Sequence, residues 1–220
     1  MKAALLEFEL ESATQNVGAF YASQQSTLLY LTRESVCSAL SYTDSLWHNK
    51  SQEYVPLTFP FESTPAEPAT ARSVSTREVI YKAGDEQDVG LLRYGKQIVI
   101  VPGSRFRCAI WGDIPELNLG QIFLIGKKRA PARIANLVID DVEPDVTSEG
   151  ITLPVQLPPT AVMQQASFAP LVGTARYFIV KLPLTPSLRR FAIGGYVVPL
   201  PEITFNEPNP DTRRKARRRK

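Results

Sequence analysis

The strongest constraint on the fold is a short alternation of apolar and acidic residues near the start of the chain. Three large apolar side chains are interleaved with three glutamates: Leu6, Phe8 and Leu10 with Glu7, Glu9 and Glu11. Successive side chains of a β-strand point to opposite faces of its sheet, so a period of two is typical of a half-buried strand. This segment therefore predicts a strand with one core face and one strongly acidic face.

Residues 105–111 repeat the alternation with the opposite charge. One set of side chains is apolar (Phe106, Cys108 and Ile110), and the other is cationic and aromatic (Arg105, Arg107 and Trp111). Sheets that bind single-stranded RNA use a face of the second kind, because bases stack on rings and phosphates meet guanidinium groups. The alternative is an exposed face with Trp111 covered by a neighbouring loop, since aromatic residues on strands are usually packed.

A third segment combines a short strand with a basic loop. The apolar run 122–125 ends at Gly126, and four cations follow between positions 127 and 133: Lys127, Lys128, Arg129 and Arg133. Glycine accepts backbone angles that other residues resist, and arginine presents a flat, forked set of donors that suits phosphate. We interpret this loop as a contact for a polyanion. The alternative is a solvated turn whose charges only keep the protein soluble.

The formal net charge of +3 hides an asymmetry along the chain. Of the 25 lysines and arginines, seven lie in residues 213–220, which contain no acidic residue. Residues 1–212 therefore hold 18 basic and 22 acidic side chains, a net charge of −4. Any anion site on this body has to be local, because no general positive field would attract nucleic acid. We expect one domain over residues 1–205, followed by a basic, disordered tail at 206–220.

The remaining pattern predicts one helix and seven or eight strands. Ser26 is expected to cap a helix that runs to about Tyr42, whereas residues 43–76, with four prolines, are expected to be irregular. Further strands are predicted near 79–81, 97–101, 134–139, 177–182 and 191–200, and residues 151–160 are expected to be a proline-rich connector. The fold class is therefore α+β or mostly β, with non-local strand pairing.

Metal and thiol chemistry find little support in the sequence. Cys37 and Cys108, with the single His48, cannot supply a Cys/His zinc cluster, so both thiols are predicted to be buried packing groups. A carboxylate-rich segment at 140–145 fits no cation-binding loop of known spacing and favours a solvated turn; its acids are Asp140, Asp141, Glu143 and Asp145. We predict no metal and no cofactor.

Catalysis and membrane contact are also not expected. His48 has no second acid or base that sequence spacing can place beside it, and Ser104 and Ser187 lack the glycine pattern that presents an activated serine. Glutamates interrupt the N-terminal segment at once, and no apolar run approaches the length of a membrane span. We expect a cytoplasmic protein that is not an enzyme.

Several segments taken together resemble a known family. They are the strand–loop–helix opening, Thr64-Pro65-Ala66, Phe106, the Gly126-Lys127-Lys128-Arg129 loop with Ala132-Arg133, and Gly173 before Tyr177-Phe178. This combination, over most of residues 3–200, is similar to the type I-D CRISPR effector subunit of the fifth Cas protein family, in the repeat-associated RNA-binding superfamily. The resemblance implies an α+β fold: a ferredoxin-like, RRM-related core with an antiparallel sheet, a β-hairpin thumb insertion and additional C-terminal strands.

The same resemblance implies a function. Members of the family bind the 5′ handle of the CRISPR RNA in a Cascade-like complex, contact its backbone subunits, and contact the large subunit that helps read the PAM on target DNA. Carried onto this chain, it implies handle contacts from Lys127, Lys128, Arg129 and Arg133. The thumb would lie in 77–93, beginning at Arg77 and including Tyr81.

Three further points come with the resemblance. Type I-D relies on a separate subunit to cut the precursor RNA, so the resemblance implies a non-enzyme. A CRISPR repeat-RNA endoribonuclease, known in a related subtype, and a protein-only adaptor are the alternatives. The glycine-rich loop common in the superfamily is reduced here to Gly194-Gly195.

Overall fold

The structure is a computed structural model of the 220-residue chain. It describes residues 1–12, 30–41, 59–70, 75–82, 92–126, 129–157, 161–163, 170–173 and 177–205. These ranges contain one helix, α1 (Arg33–Leu40), and sixteen strands. The strands are β1 (Lys2–Leu10), β2 (Phe61–Ser63), β3 (Glu67–Thr70), β4 (Ser75–Lys82), β5 (Leu92–Val99), β6 (Arg105–Gly112), β7 (Ile122–Ile125), β8 (Ala130–Asp141), β9 (Ile151–Thr152), β10 (Val155–Leu157), β11 (Ala161–Met163), β12 (Pro170–Gly173), β13 (Phe178–Val180), β14 (Arg190–Ile193), β15 (Tyr196–Pro199) and β16 (Ile203–Phe205).

The largest sheet has six strands, and β1 lies in its middle. Its order is β2-β6-β1-β8-β7, with β3 also paired to β6. Both neighbours of β1 run antiparallel to it, and the register with β6 places Glu7 opposite Arg107 and Glu9 opposite Arg105. The sheet curls into half a barrel. The strands predicted from alternation at the start of the chain and at 105–111 are therefore confirmed, and they are direct neighbours.

The apolar side of this sheet, its inner face, packs on α1 to form the main core. The buried side chains there include all six apolar residues of the two alternations: Leu6, Phe8, Leu10, Phe106, Cys108 and Ile110. Phe8 stacks on Phe106 with ring centroids 5.8 Å apart and meets Phe123 of β7 edge-on at 5.3 Å. Removing a large apolar side chain from water stabilises a fold by about 1.5–3 kcal/mol. Because six buried side chains come from β1 and β6, these two strands supply much of the core.

Helix α1 begins later than predicted. Thr32 is its N-cap, with Oγ1 accepting a hydrogen bond from the Ser35 N–H at 3.2 Å. Residue 31 is held in an extended bridge to residue 66 by two backbone hydrogen bonds of 3.0 and 2.8 Å. Because that bridge is incompatible with a helix, the prediction of one helix running on from Ser26 is wrong. Ser26 itself lies outside the described residues.

The opposite side of the sheet, its outer face, is covered in part by the hairpin β14–β15. Phe191, Ile193 and Val198 of the hairpin and Ala3, Leu5 and Ala109 of the sheet all belong to a second buried cluster. The strand predicted at 191–200 is thus a hairpin, in which Gly194 and Gly195 form the two-residue turn. Their φ values of 56° and 81° are both positive, as a type I′ turn requires.

Two segments expected to be irregular contain short strands. Within 43–76, β2 and β3 pair with β6, and β4 begins at Ser75. Within 151–160, β9 pairs with β15 and β10 with β13. Strands of two to four residues are too short to show a period, and Pro68 of β3 is tolerated because β3 pairs only with β6 in the described residues.

The antiparallel sheet of the expected fold is confirmed, but its ferredoxin-like core is not. The described residues form a mostly β architecture with few helices. A ferredoxin-like core has a helix in each of two crossovers, and α1 lies in the first, between β1 and β2. Between β6 and β8 the described residues contain β7 and no helix. No described helix is long and apolar enough to cross a membrane.

The turn at Gly194 yields a test of this packing. A Cβ at Gly194 would lie 2.7 Å from Leu5 Cδ2, whereas one at Gly195 would meet nothing within 4 Å. Both substitutions to alanine force a left-handed residue, at a cost of about 1–2 kcal/mol. We expect Gly194→Ala to lower the free energy of unfolding further than Gly195→Ala, measured by urea denaturation. Equal losses would contradict the contact; Leu5→Ala should reduce the difference by removing the clashing methyl.

Candidate nucleic-acid interface

Beyond the hairpin, the outer face of the main sheet carries a row of three ion pairs, which we call the charge ladder. Arg107 Nη2 lies 3.0 Å from Glu7 Oε2, and Arg105 Nε lies 2.8 Å from Glu9 Oε2. In the third pair, the Arg133 Nε–H donates to Glu11 Oε1 at 2.6 Å. Each glutamate of the acidic strand face therefore has an arginine partner on β6 or β8.

The ladder becomes more exposed along β1. The side chains of Arg107 and Glu7 are each 20% exposed, whereas those of Arg105 and Glu9 are 46% and 38% exposed. Glu9, through a hydrogen bond and charge attraction, and Glu7, through charge attraction, raise the pKa of Arg105 above its usual range. The glutamates of the ladder reduce the positive field that a phosphate would meet above the arginines.

The aromatic part of this face is covered. Trp111 meets Phe191 edge-on with ring centroids 5.7 Å apart and packs against the second core. The Arg107 guanidinium carbon lies 4.4 Å from the centroid of the Tyr196 ring, so the hairpin β14–β15 also covers that arginine. Trp111 is half-buried beneath the hairpin, as the packing alternative for this face expects. RNA binding by Arg105, Arg107 and Trp111 stays a prediction.

The basic loop is the turn between β7 and β8. Gly126, with φ 75°, directly follows β7, and its carbonyl accepts a hydrogen bond from the Arg129 N–H at 3.0 Å. Arg129 is exposed and, among the described residues, is the one non-glycine with a positive φ, 51°. Arg133 lies four residues further on, opposite Ile122 at the far end of β7, and belongs to the charge ladder. Lys127 and Lys128 lie outside the described residues, so of the five predicted residues the structure places only Gly126 and Arg129 in the turn.

The predicted thumb coincides with a separate two-stranded sheet. Strands β4 and β5 pair antiparallel over eight residues, with Arg77 opposite Gln97 and Tyr81 opposite Arg93. The predicted strands near 79–81 and 97–101 lie in this pair, although β5 starts earlier and ends at Val99. Two paired strands thus lie at 75–82 and 92–99; that they form a thumb, and that Arg77 and Tyr81 bind RNA, stays a prediction.

The acidic segment 140–145 begins within β8, which contains Asp140 and Asp141, and only its end at Asp145 forms a hydrogen-bonded turn. Asp145 accepts from the N–H groups of Thr147 and Ser148, at 3.0 and 2.8 Å, and from the Ser148 hydroxyl at 2.9 Å. Among the described residues no group of three or more metal-ligating side chains was found. Cys37 and Cys108 are buried and free, as predicted, and burial raises the pKa of Cys37 to about 12.

Sequence reasoning missed the buried Arg190. Its Nε donates to the carbonyl of Ser148 at 2.8 Å, and its Nη1 donates to the carbonyls of Thr185 at 2.9 Å and Leu188 at 3.3 Å. Its backbone also exchanges two hydrogen bonds with Asp145. This arginine fixes two loops beside the hairpin. The position of Arg190 at the start of a strand shows no sequence pattern that predicts its role. The charge ladder, by contrast, could have been predicted by pairing Glu7 and Glu9 with Arg105 and Arg107.

Comparison with known proteins gives a distant structural similarity. No protein-family model matches the chain, and no curated protein matches its sequence. Among solved structures, a CRISPR protein from Archaeoglobus fulgidus is similar with 12% sequence identity and a TM-score of 0.40, covering 90% of this chain and 99% of that chain. At this TM-score the similarity establishes neither a shared fold nor a shared function.

The ladder predicts unequal roles for its arginines in stability. We expect Arg107→Ala to lower the free energy of unfolding by about 1–2 kcal/mol, because a half-buried ion pair and a contact with the Tyr196 ring are lost together. Arg105→Ala should cost clearly less, since its pair is exposed. A double-mutant cycle with Tyr196→Leu isolates the ring contact. Equal costs for the two arginines would contradict the covered position of Arg107.

The turn at Asp145 predicts a stability change in acid. Hydrogen bonds from Ser148, through its backbone and then its hydroxyl, lower the pKa of Asp145. A carboxylate with a depressed pKa stabilises the fold above its unfolded pKa of about 3.9, and this contribution is lost as pH falls through the folded value. Asp145→Asn should therefore make acid unfolding less steep below about pH 4, and Ser148→Ala should do so partially. An unchanged acid profile in both variants would contradict the assignment.

Proposed function

We propose that this chain is a non-catalytic subunit of a type I-D CRISPR interference complex that binds the 5′ handle of the CRISPR RNA. The family resemblance of the sequence suggests the ligand and the assembly. The observation that carries the proposal is the distribution of cations. The arginines on the sheet face are paired with glutamates, and three consecutive cations, Lys127, Lys128 and the exposed Arg129, follow β7 in sequence.

Electrostatics supports the turn as the phosphate contact. Residues 1–212 carry a net charge of −4, so attraction of RNA to the body has to come from a local excess of cations. Three consecutive cations in 127–129 provide such an excess. Phosphate contacts of this kind supply most of the affinity for single-stranded nucleic acid and set its position, and they carry no base specificity.

Two other features have roles in the proposal. The hairpin β4–β5 acts as the thumb over the guide RNA, and the backbone and large subunits cover surfaces that include the exposed apolar side chains. Contact with target DNA near the PAM follows from the neighbouring large subunit. The chain acts by binding, and a separate subunit cuts the precursor RNA.

The test is a salt titration of RNA binding. A labelled single-stranded RNA that carries a CRISPR repeat-derived 5′ handle is bound to the full chain at increasing salt. The triple variant Lys127→Ala, Lys128→Ala, Arg129→Ala should bind more weakly, and the slope of log affinity against log salt should become shallower by about two, since each phosphate contact on a single strand contributes about 0.7. A scrambled RNA of equal length separates handle recognition from general charge attraction.

The matched control removes three exposed cations outside the candidate site: Lys2→Ala, Lys181→Ala, Arg189→Ala. This control lowers the net charge by the same amount but leaves the turn intact. Its slope should therefore stay close to that of the unaltered chain. If the two triple variants change the slope equally, the turn is not the phosphate contact. If the chain cleaves the repeat RNA into discrete products that are lost in His48→Ala, the non-catalytic assignment fails.

A further inference from the structure

Strand β7 is an edge strand of the main sheet. Within the described residues it pairs only with β8, at the end of the six-stranded sheet. Residues 119–125 read Leu-Gly-Gln-Ile-Phe-Leu-Ile and contain no charge and no proline. Natural edge strands usually carry charged residues, prolines or bulges that prevent pairing with another chain. A bulge precedes the strand, where Gly120 and Gln121 both bond to Ile134, so the edge that is open to a partner within the described residues is limited to residues 122–125.

The orientation of the β7 backbone follows from its neighbour. The Pro131 carbonyl accepts a hydrogen bond from the Glu11 N–H at 2.9 Å, so this carbonyl points toward β1. Pro131 stands opposite Leu124 in the register, and the two residues therefore form a pair without mutual hydrogen bonds. The N–H and C=O of Leu124 consequently point away from β8, toward the free edge. Ile122, two residues earlier, has the same orientation.

The same two residues carry the exposed side chains. Phe123 and Ile125 are buried in the main core, whereas Ile122 and Leu124 are 49% and 45% exposed on the outer face. The edge therefore offers two backbone donors, two backbone acceptors and two apolar side chains, at a spacing of two residues. That set is complementary to an antiparallel copy of itself.

We propose that β7 pairs antiparallel with β7 of a second copy of this chain, about a twofold axis at Phe123. In this register Ile122 of each copy faces Leu124 of the other in a hydrogen-bonded pair, which gives four backbone hydrogen bonds and two apolar cross-strand contacts. Gly120 of one copy comes opposite Gly126 of the other, where neither has a side chain to obstruct the approach. The sheet then continues across the dimer.

The charges beside β7 favour this antiparallel arrangement. The exposed Glu116 precedes the strand in sequence, and Lys127, Lys128 and Arg129 follow it. Antiparallel pairing brings the acidic end of each copy toward the basic end of the other. A contact of four residues on each side is small beside the roughly 1,200 Å² of a stable interface, so the dimer depends on concentration. The pairing does not rest on the proposed RNA binding, and its test contains no RNA.

The first experiment is sedimentation equilibrium of the full, nuclease-treated chain over a wide range of concentration. The weight-average mass should rise from the monomer value of 24.4 kDa toward twice that value. Leu124→Lys places a charge at the edge and should hold the mass at the monomer value. Ile151→Lys, at an exposed position on β9, is the matched control and should associate like the unaltered chain. A monomer at every concentration, or unchanged association of Leu124→Lys, overturns the proposal.

A second experiment decides the matter if Leu124→Lys does not fold. The double variant Ile122→Cys, Leu124→Cys puts thiols on facing residues, whose Cα separation of about 5.5 Å lies within the range of a disulfide. Mild oxidation should give a covalent dimer, since the native Cys37 and Cys108 are buried. The control is Ile151→Cys. If the double variant cross-links no more than this control, β7 pairing is overturned.

Discussion

The fold depends on the position of β1 in the centre of an antiparallel sheet. Both of its edges are hydrogen-bonded, to β6 and β8, and its two faces contribute to two separate cores. Its inner face is apolar throughout, whereas its outer face changes from Ala3 and Leu5 to three glutamates. The hairpin β14–β15 covers the apolar half. The charge ladder occupies the other half, which keeps the central strand from presenting three unpaired carboxylates beside one another.

The ladder also shapes what the molecule can recognise. A cationic strand such as β6 would by itself attract phosphate, but its arginines lie beside the glutamates of β1. Trp111 and Tyr196, the aromatic side chains that could stack on bases there, contact Phe191 and Arg107 instead. Charge matching within the sheet therefore leaves the turn between β7 and β8 as the proposed polyanion contact. If β7 pairs with β7 of a second copy, the turns of the two copies lie at opposite ends of the paired strands.

Features of the fold that follow from local sequence pattern could be predicted. Features that depend on contacts between distant segments of the chain could not. Alternation over six or seven residues correctly gave β1 and β6 and the buried side of each, because a period of two is a local property. The acidic face of β1 and the basic face of β6 could both be predicted from the sequence. Their mutual neutralisation could not, because it depends on the register that places Glu7 opposite Arg107. The start of α1 was misplaced because the bridge between Leu31 and Ala66 joins distant segments. Short strands such as β2 and β9 carry no period of their own.

The central claim is that the sheet face is neutralised and that polyanions contact the turn. Ultraviolet cross-linking of the full chain to single-stranded RNA, followed by mass spectrometry of the cross-linked peptides, tests it most directly. The account predicts cross-links in the peptides that contain residues 126–133 and none that is centred on 105–111. Cross-links concentrated on Trp111 or Tyr196 would mean that the hairpin β14–β15 leaves the sheet to admit RNA, and would contradict the account.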